Sequence, residues 1–424
     1  MLATARSEMG QGVHTALAML VTEELDVPLG RVSLMQACSD SIYGNVAMLV
    51  AGFPFHPTEL GGDGKLATTQ VRLSQWLVGK VACELGIYVT GGSSSGMDAW
   101  DVLRLAAATA RASLLGAAQP EWKLPVAELA VKNGVISHVS GPSAHYGQFA
   151  KYAALTPPGR VSLKGRKDWT LIGQSAPRKD LQAKVNGTAM FGLDVRLPGM
   201  LYAAVRLCPM LGGSPGAINA NAALAMLGAL RLVPLQAWAG STAGFAVIGK
   251  TWWHAQQAAQ AVQVEWQQRP AGALGSREIE KSLLVSLADE SGRVFYEQGD
   301  VDTVESPAPR KLQATYSGPY LAHSTLEPMN CTAKVKDGKV QIWVPTQVPQ
   351  MAAAVAARVA GVALEDVTVT VTLLGGGFGR RLEVDFVARA VRVAMDSGGQ
   401  PVQLIWSREE DMTYDFHRPM AAAG

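Results

Sequence analysis

The stretch LLGGGFGRRLEVDF, residues Leu373–Phe386, constrains the fold more than any other. It follows VTVTVT, which alternates with the period of a strand, and it leads into EVDFVARAVRVAM, which carries helical spacing. A strand, a glycine-rich turn and a helix together gather backbone N–H groups and the positive end of the helix around an anion. Glycine suits such a turn because a Cβ would block close approach of a phosphate or a ring. Gly376, Gly377, Phe378 and Gly379 are therefore candidate ligand contacts, with Arg380 and Arg381 expected as charged forks at the same rim. Two nucleotide-binding codes fail here. A P-loop needs Lys-Ser/Thr after the last glycine, where this chain has Arg380-Arg381. The dinucleotide fingerprint needs a third glycine where Arg380 stands, and Asp396 is only a marginal ribose partner. Taken alone, the turn is equally consistent with a strained bend carrying surface arginines.

Two further turns share the design. EMGQGVHT, Glu8–Thr15, holds Gln11 between Gly10 and Gly12 just before a helical pattern, next to open backbone. GGSSSG, Gly91–Gly96, sets Gly92 and the hydroxyl and N–H groups of Ser93, Ser94 and Ser95 at a helix start, where they can cradle a phosphate. Each has a plain alternative as a helix-capping turn. Three such turns, spread from residue 8 to residue 379 and each at the start of a helix, suggest one large anionic ligand held between layers.

Composition removes several classes. The net charge of +2 points to neither nucleic acid nor a polybasic membrane anchor. No apolar run reaches the ~20 residues needed to span a bilayer. MLATARSEMGQG has no signal-peptide core, so the sequence as written reads as soluble and unexported, although it does not fix the compartment. Cys38, Cys83, Cys208 and Cys331 lie far apart without CxxC or Cys/His spacing, which argues against a protein-ligated zinc or iron–sulfur site and for small buried hydrophobes.

Along the chain, helical patterns follow Gly12 and run through TTQVRLSQWLVGKVACELG and AWDVLRLAAATARASLLGAAQ. Gly44 to Gly64 reads as loop, and AVKNGVISH as a hairpin turning at Asn-Gly. LTPPGRVSLKGRKDW marks a boundary. Beyond it, KVNGTAMFGLDVRLPGMLYAAVRL reads as paired strands and FAVIGKTWWHAQQAAQAVQVEW as strand, helix, strand. The expectation is an α+β chain in three parts, residues 1–165, 166–268 and 269–424, without short-period repeats.

Eight phrases carry a resemblance: EMGQGVHTALAMLVTEELDVP, YGNVAML, VTGGSSSGMDAW, KVNGTAMFGLDVRLPGMLYAAV, LAHSTLEPMNCTA, PTQVPQ, GGGFGRR and PVQLIWSREEDM with HRPM. In this order they span almost the whole chain, and they resemble the molybdenum-cofactor subunits of the xanthine dehydrogenase/aldehyde oxidase superfamily, of the isoquinoline 1-oxidoreductase β-subunit type. The resemblance implies two molybdopterin-binding segments, 1–165 and 269–424, flanking an α/β-hammerhead-like domain at 166–268. It implies molybdenum–molybdopterin as cofactor, in the cytosine dinucleotide form. Gly10, Gln11 and Gly12 would lie at the pterin–phosphate region, and Gly92 with Ser93, Ser94 and Ser95 at the dinucleotide phosphates. Gly376, Gly377, Gly379 and Arg380 would pack on the pterin, Phe378 would lie beside the metal, and Gln347 of PTQ near its oxo ligand.

The implied activity is oxidation of an aldehyde or hydroxylation of an N-heteroaromatic ring. Electrons would pass to iron–sulfur clusters on a separate small subunit and then to a cytochrome-type acceptor. Family members of this type are longer, and the exported ones, often periplasmic, begin with a twin-arginine signal. The expectation is thus an N-terminal part, either a fragment or a split half completed by a second polypeptide. Glu327, with His323 four residues earlier, is the carboxylate best placed in a motif, but the resemblance puts the general base outside this chain, so no catalytic residue and no metal-ligating side chain is assigned. Glu383 and Asp385 are expected on the solvated start of a helix. The competing reading is a cofactor-free remnant or scaffold without activity.

Overall fold

The computed structural model describes residues 1–52, 55, 59, 67–238, 240–270, 272, 275–288, 292, 310 and 312–424. The chain is mixed helix and sheet, and it divides into two units, Met1–Leu201 with Asn330–Leu404 and Tyr202–Met329 with Ile405–Gly424.

In the first unit, helix α1 (Val13–Leu25) packs along α4 (Ser95–Trp122), with Val13, Leu17, Leu20 and Ala99 forming a core beside Trp100 and Leu103. The 3–4 spacing of the apolar residues in α1 produces that face. Two helices lie between them in sequence, α2 (Val46–Ala51) and α3 (Thr69–Leu85). α2 corrects the expected loop over Gly44–Gly64: Asn45 caps it by accepting from the Met48 N–H, an N-cap signal that the neighbouring glycines obscured. The rest of that loop, apart from Phe55 and Glu59, lies outside the described residues. The Asn133-Gly134 turn joins strands Ala130–Lys132 and Val135–Ser137 with both residues at positive φ, as a two-residue hairpin turn requires.

The same unit carries strands Asn330–Lys336 and Lys339–Val344 as an antiparallel pair. The second of these pairs in parallel with Val367–Val371. That parallel pairing needs a crossover, and helix Pro349–Ala360 supplies it. Helix Asp385–Met395 packs on strand Asn330–Lys336 with nine of its eleven residues buried.

In the second unit, Leu201–Leu207 and Ala229–Leu235 both pair antiparallel with Gly244–Gly249, whose six residues are all buried. Helix Trp252–Ala261 covers this core through Ala255, Ala258 and Ala259. Gln263–Gln267 pairs instead with Ser214–Asn219, so the strand, helix, strand expectation holds while its two strands lie in different sheets. The expected paired strands over KVNGTAMFGLDVRLPGMLYAAVRL are corrected to a short helix, Leu181–Val185, a single turn at Gly192–Asp194 and one strand from Leu201. Gly187, at φ +76, ends the helix in a conformation that a continuous strand could not contain. Cys208 and Cys331 are buried as expected, whereas Cys38 and Cys83 are exposed because both lie on weakly covered segments. Among the described residues no helix is long and apolar enough to cross a membrane.

Candidate functional site

The first unit brings the three glycine or serine turns together, although up to 339 residues separate the hydrogen-bonded partners in sequence. The Ser7 N–H donates to Thr90 Oγ1 at 2.9 Å, and Ser7 Oγ donates to the Thr346 carbonyl at 2.8 Å. The Leu374 N–H donates to the Glu8 carbonyl at 3.0 Å. Gln347 joins the other two turns: its N–H donates to the Arg381 carbonyl at 3.0 Å, and its carbonyl accepts from the Thr90 N–H at 2.9 Å. Its side-chain Nε2 donates to the Thr90 carbonyl at 2.7 Å.

That last bond fixes the amide, because the oxygen would face a second acceptor if it pointed at Thr90. Oε1 is therefore held on the opposite side, buried and without a donor among the described residues. A buried acceptor left unmatched is costly, and it is satisfied by a donor from a ligand, an ordered water or another chain. Gly377 lies against it: a Cβ built there would stand 2.8 Å from Oε1 and 2.6 Å from Met9 Sδ. The next residue, Phe378, adopts φ +55 and leaves 72% of its surface exposed. An exposed phenylalanine in the left-handed region is strained, and such strain gathers at ligand-binding turns. Gly379 follows at φ +113, which a side chain rarely tolerates.

The arginines behind the turn do not sit at its rim. Arg380 and Arg381 are 1% and 0% exposed. Arg380 forms a two-pronged pair with Asp385 at 2.9 and 3.2 Å, and Arg389 reaches the same carboxylate at 3.0 Å. Asp385 is thus fully buried, not solvated. Burial alone would push its pKa up, but the two guanidinium groups outweigh that and hold it below the usual carboxylate range. Arg381 donates through Nε to the Gly376 carbonyl at 2.8 Å, clamping the turn from inside.

The first turn has an internal anion. Glu8, 1% exposed, accepts from the N–H groups of Gly10, Gly12 and His14 at 2.9, 3.0 and 3.1 Å, and from Arg178 at 3.1 Å. The N–H groups that the sequence offered to a ligand phosphate are therefore engaged by the chain's own carboxylate. The Gln11 amide is also tied back, accepting from the Met9 N–H at 2.7 Å and donating to the Ser7 carbonyl at 3.0 Å. Gly10 and Gln11 remain on the surface, with Gly12 half-buried. In the serine loop, Gly92 and Ser93 are exposed and Ser95 is half-buried. Ser94 is buried, accepts from Asn45 Nδ2 at 2.8 Å and donates to the Gly91 carbonyl at 2.8 Å.

Sequence reasoning missed Ser7, Glu8, Asn45 and Thr90, which hold the turns in place. Their signal was polarity inside apolar surroundings, legible only once burial is known. In the second unit, His323 pairs with Asp415, its Nδ1 at 2.9 Å, and not with Glu327. Among the described residues no group of three or more His, Cys, Asp or Glu side chains is placed to hold a metal ion. The site can therefore hold a ligand that brings its own chemistry: the buried Gly377 lies against one buried amide oxygen that lacks a donor among the described residues, and the exposed Phe378 follows it in the chain.

One family model and several curated proteins match the chain. The molybdopterin cofactor-binding domain family matches residues 287–423. The chain is 31% identical to the β-subunit of isoquinoline 1-oxidoreductase of Brevundimonas diminuta, over 96% of this chain and 52% of that protein. It is 26% identical to a protein of Gluconacetobacter polyoxogenes named membrane-bound aldehyde dehydrogenase (pyrroloquinoline-quinone), over 97% and 49%. It is 24% identical to a nicotinate dehydrogenase component of Pseudomonas putida, over 96% and 31%. The chain spans about half the length, or less, of these curated relatives.

Proposed function

We propose, from the premise that this chain belongs to the molybdenum-binding subunits of the xanthine dehydrogenase/aldehyde oxidase family, that it forms the cofactor-holding part of a molybdenum hydroxylase large subunit. The assembled enzyme would oxidise aldehydes or hydroxylate N-heteroaromatic rings. The observation that carries this reading is the buried Gln347 Oε1, unmatched beside Gly377 and next to the exposed Phe378. A pterin has N–H donors for such an oxygen and a flat face for such a turn.

Gly376, Gly377, Phe378, Gly379 and Gln347 would hold the pterin end of the cofactor. Gly92, Ser93 and Ser95, with open backbone and hydroxyls at the N-terminus of α4, would hold phosphate, and Ser94 would fix their loop from beneath. Gly10, Gln11 and Gly12 would contribute the shape of their turn, since Glu8 engages the N–H groups of the two glycines. Arg380 would act from behind, locking the glycine turn to Asp385. When bound, the molybdenum centre supplies two-electron oxidation with oxygen drawn from water, and the protein orients it and excludes solvent.

The finer parts of the proposal follow from the family. The cofactor would be the cytosine dinucleotide form. A separate small subunit would carry the iron–sulfur clusters, passing electrons to a cytochrome-type acceptor, because the four cysteines of this chain have no cluster-ligating spacing. The part of the relatives that this chain does not match would complete the large subunit and bring the general base, either on the same protein, of which this chain is then a fragment, or on a second polypeptide, leaving no catalytic residue in this chain. The division at 1–165, 166–268 and 269–424, with a hammerhead-like middle part, belongs to the same proposal.

The test is oxidation of benzaldehyde and isoquinoline by the assembled, cofactor-loaded complex with a dye as electron acceptor, in water labelled with heavy oxygen. The reading expects label in the product. A loaded complex that oxidises neither substrate would refute it.

A further inference from the structure

The second unit has a cavity of about 670 Å³ whose lining belongs entirely to that unit. A few hundred Å³ is the usual size of a small-molecule site. Two stretches of chain meet there. Arg269 stands two residues past the end of strand Gln263–Gln267, and Tyr414, Asp415, Phe416 and His417 follow helix Arg408–Thr413. Tyr320 adds a third aromatic ring, 39% exposed.

Arg269 is half-buried and held at two points. Its stem packs on Gly212, where a built Cβ would stand 3.6 Å from the arginine Cδ and 3.7 Å from its Cβ. Its Nε donates to the Gly272 carbonyl at 2.6 Å. The terminal Nη1 and Nη2 groups have no acceptor among the described residues, which leaves a positioned guanidinium fork for a ligand. The one carboxylate among the described lining residues does not compete for it. Asp415 is 8% exposed and accepts from the His323 N–H and from the Phe416 N–H at 2.7 Å, with His323 Nδ1 at 2.9 Å. Tyr414 is tied by its hydroxyl, which donates to the Leu207 carbonyl at 3.1 Å and leaves the ring as wall.

We propose that this cavity binds an aromatic carboxylate, with Arg269 holding the carboxylate and Tyr320, Tyr414 and Phe416 packing on the ring. A guanidinium pairs with a carboxylate through two parallel N–H bonds, which fixes the orientation of a flat ligand. Aromatic walls favour a ring by the area they bury and by stacking. The three glycine or serine turns all lie in the other unit, so binding here does not depend on the cofactor proposed for them.

The test is calorimetric titration of the full chain with 2-naphthoate. 2-Naphthylmethanol serves as its uncharged counterpart and cyclohexanecarboxylate as its non-aromatic one. The expected result is one-to-one binding with a Kd of about 0.1 mM or tighter, within what a ligand of this size allows. 2-Naphthylmethanol binds about tenfold more weakly or worse, and cyclohexanecarboxylate about threefold or more. Arg269→Gln weakens 2-naphthoate by about tenfold or more at an unchanged melting temperature. Tyr320→Ala, at an exposed position, weakens 2-naphthoate more than cyclohexanecarboxylate. No saturable binding of 2-naphthoate overturns the proposal, as does parental affinity in Arg269→Gln. Equal affinity for 2-naphthylmethanol also overturns it, since the cavity would then recognise the ring without the carboxylate.

Discussion

Replacing Gly377 by alanine tests how the candidate site is packed, independently of any cofactor. The backbone at Gly377 lies outside the left-handed region, so alanine adds no conformational strain. The new Cβ meets Met9 Sδ at 2.6 Å, Gln347 Oε1 at 2.8 Å and Gln347 Cδ at 3.3 Å. Carbon atoms rest at about 3.5–4.0 Å, so something must move by up to about 1 Å. Met9 can swing aside because its thioether ends a flexible side chain. Gln347 cannot move without lengthening its 2.7 Å bond to the Thr90 carbonyl. Overpacking of this kind costs about 1–3 kcal/mol, and loss of the hydrogen bond adds about 1 kcal/mol.

Denaturant unfolding of the isolated chain reads the difference as a shift in midpoint at unchanged slope. Gly96→Ala is the control: no atom lies within 4 Å of its added Cβ, it sits inside α4, and it should stabilise by up to about 1 kcal/mol. In a Gln347→Ala background the Gly377→Ala cost should shrink by on the order of 1 kcal/mol, the coupling expected of groups in direct contact. A Gly377→Ala chain as stable as the parent would refute the packing described here. So would equal costs in both backgrounds.

Three further outcomes follow from the same geometry. Asp385→Asn leaves Arg380 and Arg389 facing each other in the core without their shared anion, and should destabilise by about 3–5 kcal/mol in the same unfolding assay. Stability should depend on acid in a defined direction. For Glu23, burial raises the pKa but the N–H groups of Ile172, Leu171 and Thr170 outweigh it, and for Asp180 the Arg178 pair leads, so both carboxylates are held low, as is Asp385. A depressed carboxylate stabilises the fold above its unfolded value of about 4, and that stability is lost as pH falls through the folded value. Melting temperature should accordingly stay level from neutrality to about pH 5 and fall below about pH 4; a fall that begins above about pH 6 would contradict the assignment. In the assembled enzyme, Gln347→Ala should retain cofactor but reduce turnover, and parental rates would mean that the residue does not face the cofactor.

Much of the site was legible in the sequence because glycine and serine turns announce themselves by composition. GGGFG, MGQG and GGSSSG do converge, and the turn before Asp385–Met395 does follow a strand. What the sequence could not convey is which groups are already engaged. Glu8 occupies the N–H groups of the first turn, and Asp385 draws Arg380 inward, yet a carboxylate two residues before a glycine looks the same whether it faces solvent or its own backbone. The elements misread have similar causes. α2 is six residues long, too short for its period to stand out beside the glycines at Gly44 and Gly52. Over KVNGTAMFGL the chain runs from the last two residues of a short helix into turns, because apolar alternation over a few residues does not require a strand.

The central claim is that the converging turns hold molybdopterin, and it is tested most directly by molybdenum and pterin content. The chain would be purified together with the part that completes the subunit, from a host that makes the cofactor. The account expects close to one molybdenum and one pterin per chain, with a cytosine nucleotide released on hydrolysis. A folded complex containing both halves but neither metal nor pterin would contradict it.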